Sequence, residues 1–256
     1  MLTMIGLGLD GVKGLTLEGL EVIKGSDVVL LEKYTNVFDV STVSDELMGL
    51  IGKPVKIVDR SIVEEESEIL NLAEMHNVVL LVSGDPLIAT THINLLISCQ
   101  EKNIPWRVIH GVSIYSAAIG ISGLHVYKFG PPVTLSFWSD NYRPTTPYQI
   151  IEENRSRGLH TLVLFDISQE GKGMDVQTAA ELLLRMRDET GKDVLPDKVL
   201  IMSRIGRPDQ KLVYTDLDTL ISLNRDVVGE PPYVMIVPGK LHFREEEWLN
   251  LFVYPK

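Results

Sequence analysis

The segment VVLLVSGDPL, residues 78–87, contains the strand and the loop from which the rest of the fold follows. Its first five residues form an apolar, β-branched run, which is typical of a strand buried on both faces of a parallel sheet. Gly84 and Asp85 come at the carboxyl end of that strand, where open α/β sheets bind their ligands. The segment therefore predicts an α/β unit with a ligand-binding loop after this strand.

Short β-branched runs alternate with helix-like segments through the whole first half of the chain. This alternation favours a mostly parallel sheet covered by helices. The predicted strands are residues 1–5, 28–31, 55–57, 78–82 and 107–109, and the predicted helices are residues 16–24 and 64–75.

The second half has less regular spacing, which favours a mixed sheet. Two of its strands flank RIGRPDQ (204–210) at the distance expected of a hairpin. FGPP (129–132) interrupts the pattern, so we place the boundary between an α/β domain of residues 1–127 and another of residues 128–256. The predicted elements here are strands 133–137, 161–165, 199–202, 211–214 and 233–237, and helices 148–157 and 176–190.

Composition excludes several classes of protein. The chain has 24 Lys and Arg against 35 Asp and Glu, a net charge of −11, which argues against nucleic-acid binding. No apolar run approaches the roughly 20 residues of a membrane-spanning helix, and the N-terminus does not resemble a signal peptide. A single cysteine, Cys99, precludes an intramolecular disulfide, so the expected compartment is a reducing cytoplasm.

The segment GLGLDG, Gly6–Gly11, satisfies the dinucleotide pattern G-x-G-x-x-G directly after a predicted strand, and Glu32 follows at a suitable distance. In a true dinucleotide site the last glycine leads straight into a helix that holds the pyrophosphate. Here VKGL (12–15) intervenes. The glycines therefore favour a turn packed against another ligand or against neighbouring backbone, and a nicotinamide oxidoreductase stays as an alternative.

Two strand-end loops carry polar side chains suited to a ligand. Asp85 can accept hydrogen bonds from a ribose or an amine, or it can form an Asx turn before the next helix. Ser113 and its neighbours through Ser116 follow the strand that ends near His110, where a serine is also a common helix N-cap. Both alternatives remain open for each loop.

Other catalytic signatures are missing from the sequence. The six histidines lie at least 15 residues apart, so no local metal-binding motif is present and no metal is expected. Cys99 lies in an apolar helix, which favours core packing over a nucleophilic role. The sequence has no G-x-S-x-G elbow and no P-loop.

An ordered set of motifs resembles the diphthine synthase family of the tetrapyrrole methylase superfamily, over nearly the whole chain. None of the motifs is specific alone, but their shared order is. They are IGLGL (5–9), EKYT (32–35), GDPLIATTH (84–92), IHGVSIYSA (109–117), GLHVYKFG (123–130), FW (137–138), NYRPT (141–145), ENRSRGLHTLVLFDI (153–167), RIGRPDQ (204–210) and PPYVMIVPGKLH (231–242).

The resemblance implies a two-domain methylase fold with S-adenosylmethionine in the cleft between the domains. It implies methylation of the amino group of a 3-amino-3-carboxypropyl-histidine in translation elongation factor 2, a homodimer, and S-adenosylhomocysteine as product. A tetrapyrrole methyltransferase is the nearest alternative, and a scaffold without catalysis is another. No acid or base is assigned, because an α-amino group with a reference pKa of about 8 is partly neutral near pH 7.

The family's cofactor contacts fall on residues of both halves. From the first half they are Leu9, Asp85, Ile88, Ser113 and Ile114, and from the second half Phe165, Ile205 and Tyr233. The chain departs from the family pattern at Gly111-Val112, and Tyr233 occupies a position where histidine is common.

The segment FWSDNYRPTTP, residues 137–147, is rich in side chains that favour binding. Aromatic residues and arginine are enriched at binding hot spots. We expect Trp138 and Arg143 to border the substrate site, with Arg143 pairing the substrate carboxylate. The alternative is that Trp138 simply packs under the loop.

Overall fold

The computed structural model describes residues 1–35, 39–168 and 170–255. The chain divides into two compact units, Met1–Ile114 and Tyr115–Lys256. This division lies earlier than the boundary expected between residues 127 and 128. The reason is that the segment before Lys128 is bonded to the C-terminal helix, as described below.

The first unit is a five-stranded parallel sheet with helices, which confirms the predicted architecture. The strand order is β3-β2-β4-β1-β5. The strands are β1 (Leu2–Gly6), β2 (Val28–Glu32), β3 (Lys56–Val58), β4 (Val78–Val82) and β5 (Trp106–Ile109). The helices are α1 (Leu17–Gly25), α2 (Val40–Ile51), α3 (Arg60–Glu65), α4 (Ser67–Met75) and α5 (Ile93–Glu101).

Strand β4 lies at the centre of this sheet, and all five of its residues are buried. It pairs in parallel with β1, where Gly6 aligns with Val82, and with β2 on its other side. Because the strands are parallel, the loops after β1, β4 and β5 leave from one edge of the sheet. That edge carries the predicted ligand loops.

Two helical features of the first unit differ from the prediction. Helix α2 was not predicted; its N-terminus is capped by Asp39, and it ends at Gly52, whose φ of 69° terminates the helix in the left-handed conformation. The segment predicted as one helix over residues 64–75 is two helices, because Glu66 has a φ of 60° and interrupts the α-helical backbone.

The second unit has the mixed sheet that the sequence predicts, in the order β6-β7-β10-β8-β9. Among the described strands, β6 and β7 pair in parallel, and the other neighbouring strands of this sheet pair antiparallel. The strands are β6 (Val133–Leu135), β7 (Thr161–Phe165), β8 (Val199–Ser203), β9 (Lys211–Thr215) and β10 (Tyr233–Val237). The helices are α6 (Ile114–Ile121), which begins at the boundary, α7 (Thr146–Ser156), α8 (Val176–Thr190), α9 (Leu217–Ser222), α10 (Arg225–Val228) and α11 (Phe243–Asn250).

The buried face of α8 organises the core of the second unit. Ala180, Leu183 and Met186 are fully buried and pack with β-strand residues in one cluster. Asp175 caps this helix through a bond from the Thr178 amide, and Gly191 ends it with a φ of 64°. The strands β8 and β9 form the hairpin predicted around residues 204–210.

A buried carboxylate joins the start of the second unit to its last helix. Glu245 on α11 is fully buried and accepts hydrogen bonds from the amides of His125 at 2.8 Å and His242 at 2.7 Å. Lys128 Nζ and His160 Nε2 also bond this carboxylate. Nearby, Gly123 packs so closely on Trp248 that an added Cβ would lie 2.2 Å from the indole ring. These contacts explain why residues 115–127 belong to the second unit.

Candidate functional site

Three glycines meet at the carboxyl edge of the parallel sheet. A Cβ on Gly6 would lie 2.4 Å from the Gly84 carbonyl oxygen and 2.5 Å from the Gly111 amide nitrogen. Gly8 and Gly84 also exchange backbone hydrogen bonds of 3.1 and 2.8 Å. The absence of side chains therefore lets the loops after β1, β4 and β5 touch.

This packing accounts for the dinucleotide-like pattern of the glycines. Gly11 starts a short 3₁₀ turn, Gly11–Gly14, and helix α1 begins only at Leu17. Gly14 itself packs against backbone, because an added Cβ would lie 2.3 Å from the Leu7 carbonyl. The glycines thus serve backbone packing, one of the two roles the sequence left open.

Glu32, which would bind the ribose in a dinucleotide site, is hydrogen-bonded to other residues of the protein instead. Its side chain is buried and accepts bonds from the backbone amides of Tyr34 and Thr35 and from the Thr35 hydroxyl. Burial raises the pKa of the Glu32 carboxyl, although these hydrogen bonds oppose the rise. The residues that carried the nicotinamide alternative therefore have structural roles.

Asp85 lies at the centre of the edge and is only 7% exposed. Its Oδ1 accepts a 3.0 Å bond from the Leu87 amide, which is the Asx turn that the sequence allowed. Its Oδ2 lies 2.7 Å from His110 Nδ1. A carboxylate has about four lone-pair directions, so two bonds leave acceptor capacity for a ligand.

The other expected contacts of the first unit lie on the same loops. Leu9 is half-buried after β1, and Ile88, at 44% exposure, follows Asp85. Ser113 and Ile114 are half-buried at the start of α6, after β5. The structure therefore brings the expected residues Leu9, Asp85, Ile88, Ser113 and Ile114 to one edge of one sheet.

A buried histidine holds the loop after β4 in place, and the sequence analysis assigned it no role. His92 Nδ1 bonds the Pro86 carbonyl at 2.9 Å, and its Nε2 lies 3.0 Å from the Tyr34 hydroxyl. Thr90 Oγ1 also donates to the Pro86 carbonyl. Burial lowers the pKa of His92, although the Pro86 bond opposes this shift. Tyr34 lies in the motif EKYT and His92 in the motif GDPLIATTH, so both residues belong to segments that resemble the family.

The three residues expected from the second unit also share one edge of their sheet. Phe165 ends β7, Tyr233 begins the antiparallel neighbour β10, and Ile205 lies two residues after β8. Ile205 is buried at 6% exposure, and Phe165 is half-buried. The Tyr233 hydroxyl donates to the Gly229 carbonyl at 2.7 Å, which fixes its ring.

The segment 137–147 leaves the same edge of the second sheet, directly after β6. Trp138 is half-buried against the core of the second unit, and its Nε1 donates to the Pro144 carbonyl at 3.2 Å, so it does pack under the loop. Arg143 is about half exposed, donates to the Ser139 carbonyl at 3.4 Å and lies 3.9 Å from Glu189. Of the two, Arg143 retains a side chain available to a ligand.

Within the described ranges, no group of three or more His, Cys, Asp or Glu side chains is placed to hold a metal ion. No described helix is both long enough and apolar enough to cross a membrane.

Cys99 is fully buried in α5, and burial raises the pKa of its thiol, which confirms core packing.

Comparison with known proteins agrees with this geometry. The family model of the tetrapyrrole (corrin/porphyrin) methylases matches residues 1–221. The diphthine synthase of Methanocaldococcus jannaschii is 36% identical, with 98% of each chain covered. That of Methanothermobacter thermautotrophicus is 38% identical, covering 97% of this chain and 94% of its own.

The chain belongs to the diphthine synthase family of the tetrapyrrole methylases.

Solved structures of the family have the same fold. A crystal structure of a diphthine synthase superposes with a TM-score of 0.85 at 34% identity, covering 98% of this chain and 95% of its own. A structure from Entamoeba histolytica, described as a candidate diphthine synthase, gives 0.89 at 37% identity, covering 100% and 99%. The family resemblance, the two-sheet α/β fold and the methyltransferase activity that the sequence predicts are confirmed.

Proposed function

We propose that the chain transfers methyl groups from S-adenosylmethionine to the amino group of a 3-amino-3-carboxypropyl-histidine in translation elongation factor 2, the diphthine-forming step of diphthamide biosynthesis. The near full-length similarity to diphthine synthases carries this proposal. The glycine-lined edge around Asp85 supports it, because it offers a ligand both backbone and a carboxylate.

The residues of the first unit suit this cofactor chemically. Gly84, with a φ of 66°, has open space where a Cβ would project, its nearest neighbour being the Val112 carbonyl at 3.9 Å. Ile88 and Val112 expose 44% and 55% of their surfaces, which suits an apolar purine face. Asp85 supplies negative charge for a ligand that carries an ammonium and a sulfonium. When bound, the cofactor supplies an electrophilic methyl group.

The resemblance to diphthine synthases assigns cofactor contacts in each unit. In the first unit these are Leu9, Asp85, Ile88, Ser113 and Ile114, at the carboxyl edge of the parallel sheet. In the second unit these are Phe165, Ile205 and Tyr233, which share an edge of the mixed sheet. Tyr233 offers a hydroxyl at a position where the family resemblance implies that histidine is common, and its bond to Gly229 limits the orientations of that hydroxyl.

Binding of S-adenosylhomocysteine, measured by calorimetry, tests the cofactor assignment. We expect a single site and a rise in the melting temperature, because a ligand selective for the native state stabilises it by mass action. NAD serves as the control and should produce neither effect. Binding of NAD with no binding of S-adenosylhomocysteine at millimolar concentration would contradict the assignment.

The proposed setting follows from the substrate. A translation factor is modified where translation occurs, so the enzyme acts in the cytoplasm.

The family resemblance implies a homodimer. Light scattering would compare the mass of the purified protein with the 28.6 kDa of one chain.

A further inference from the structure

We infer that His110, oriented by Asp85, is the group that accepts the proton of the substrate ammonium during methyl transfer. The inference rests on the proposed function, because it concerns an amine acceptor. Its basis is a carboxylate–imidazole pair at the edge that carries the cofactor loops.

The pair has the geometry of an oriented base. Asp85 Oδ2 and His110 Nδ1 lie 2.7 Å apart, and the two side chains are 7% and 69% exposed. The Asp85 carboxylate is further held by the Leu87 amide at 3.0 Å. A fixed carboxylate on Nδ1 selects the tautomer that carries its proton there, which leaves Nε2 as the acceptor on the exposed ring.

The three glycines make this pair possible. Asp85 follows β4 and His110 follows β5, and strand β1 lies between them in the sheet. The end of β1 is Gly6, where a Cβ would collide with both Gly84 and Gly111. Because Gly6 has no side chain, the two loops meet across β1, and the carboxylate reaches the imidazole. The motif that imitates a dinucleotide site therefore assembles the pair.

A base would increase the share of the acceptor amine that can react near pH 7. An α-amino group with a reference pKa of about 8 is roughly nine-tenths protonated at pH 7, and the ammonium form has no lone pair for attack. In the proposed step the ammonium nitrogen gives a proton to His110 Nε2. Its lone pair then forms a bond to the methyl carbon while the carbon–sulfur bond breaks, and that electron pair stays on sulfur. The imidazolium afterwards returns its proton to water.

Other charged and titratable groups lie on the elements next to His110. On β5 itself, Arg107 is paired with Glu18. The turn after β1 carries Asp10, and Tyr115 follows at the start of α6. Asp85 bonds the His110 ring directly.

The test compares His110→Asn with wild type in methylation of the elongation-factor intermediate across pH 6.5–9.5. Asparagine keeps a donor for Asp85 but lacks the distal nitrogen. We expect at least about a tenfold loss of kcat near pH 7, within the range of general-base catalysis. The deficit should shrink to less than about threefold near pH 9, because the amine then loses its proton to solvent. Affinity for S-adenosylhomocysteine should stay within twofold.

Two further measurements separate catalysis from structure. Added imidazole should partly restore the activity of His110→Ala. The His110 side chain is 69% exposed, so imidazole can reach its place from solvent. In the protein without cofactor, nitrogen-15 NMR should show His110 protonated on Nδ1, and Asp85→Asn should alter that signal. His76→Ala is the matched control, because His76 is exposed and lies before β4, at the opposite end of the parallel strands.

The outcomes distinguish this inference from the proposed function. If wild type methylates the substrate and His110→Asn matches it at every pH, or if His110 carries its proton on Nε2, the inference is overturned. If wild type itself methylates nothing, the proposed function fails.

Discussion

At the scale of single residues, glycines determine the candidate site as much as the polar side chains do. Gly111 shows this most directly, because an added Cβ would lie 2.3 Å from the Gly84 carbonyl oxygen. That oxygen belongs to backbone, which is already bonded to Gly8 and cannot move aside. A methyl group here would push apart the loops after β4 and β5.

Gly111→Ala should therefore lower the free energy of unfolding by about 2 kcal/mol, as overpacking does elsewhere, and weaken binding of S-adenosylhomocysteine. Chemical denaturation and calorimetry measure the two effects. Gly49→Ala is the control, because Gly49 lies in helix α2 with nothing within 4 Å of an added Cβ. It should stabilise the protein slightly, by about 0.5 to 1 kcal/mol. Equal behaviour of the two variants would refute the close approach of the loops.

Asp85 is the second residue whose role can be measured. Asp85→Ala removes a charged acceptor, so it should weaken binding of S-adenosylhomocysteine by about 1.5 to 3 kcal/mol, roughly ten- to a hundred-fold in Kd. Asp216→Ala is a matched control, since Asp216 caps α9 by a 2.7 Å bond to the Thr219 amide. It should lower the melting temperature without changing affinity. If Asp85→Ala also lowers the melting temperature without changing affinity, Asp85 does not bind the cofactor.

At the scale of elements, strand positions could be read from the sequence more reliably than helix ends and loop contacts. The apolar runs at Val78–Val82, Thr161–Phe165 and Tyr233–Val237 coincide with strands β4, β7 and β10, because a buried strand needs an unbroken apolar run. Helix α2 was missed although it carries a helical signal, since Val43 and Leu47, one turn apart, are buried in the core of the first unit. The interruption between α3 and α4 comes from the φ of 60° at Glu66, which a hydrophobic pattern does not predict.

The site residues were predictable in their loops but not in their pairings. Asp85 and the segment from Ser113 follow apolar strands, and strand ends are where α/β sheets place ligand loops. That Asp85 bonds His110, or that His92 bonds Pro86 and Tyr34, depends on loop paths across the sheet. Those paths are set by glycine contacts between distant segments, which local sequence does not encode.

The bond network of Glu245 makes helix α11 sensitive to acid. Burial alone would raise the pKa of this carboxyl, but bonds from Lys128 and from the amides of His125 and His242 outweigh burial and lower it to about 2. A carboxyl with a depressed pKa stabilises the fold above its unfolded value of about 4.5, and this stabilisation is lost as pH falls from there towards 2.

Glu245→Gln should reduce the free energy of unfolding by about 2 kcal/mol at pH 7, because it leaves Lys128 without its charge partner. The variant should also lose less stability than wild type between pH 5 and pH 3. Denaturation at each pH measures both. Glu181→Gln, in the exposed pair with Arg185, is the control and should cost less than about 0.5 kcal/mol. If Glu245→Gln loses as much stability as wild type between pH 5 and pH 3, the proposed effect of the Glu245 bonds is refuted.

The segment 137–147 provides the second prediction at this scale. Among the described residues, Arg143 contacts Ser139 at 3.4 Å and Glu189 at 3.9 Å, both at the long end of such contacts, so its guanidinium can pair with a substrate carboxylate. Arg143→Ala should lower methylation of the protein substrate at least about tenfold and leave the affinity for S-adenosylhomocysteine within twofold. Arg185→Ala, an exposed arginine on α8, should change neither. If Arg143→Ala loses both methylation activity and cofactor affinity, or loses neither, Arg143 does not bind the substrate carboxylate.

At the scale of the whole molecule, two sheets of different construction each present expected cofactor contacts along one edge. The parallel sheet offers strand-end loops, and the mixed sheet offers Phe165, Ile205 and Tyr233. The chain matches diphthine synthases over nearly its full length, so both sheets belong to the part of the chain that resembles the family.

The methyltransferase activity can be measured by mass spectrometry of elongation factor 2 carrying the 3-amino-3-carboxypropyl-histidine, after incubation with this chain and S-adenosylmethionine. We expect mass increases of about 14 Da per methyl group, located on the modified histidine and dependent on both the chain and the cofactor. An unchanged substrate, under conditions where the chain binds S-adenosylhomocysteine, would contradict this expectation.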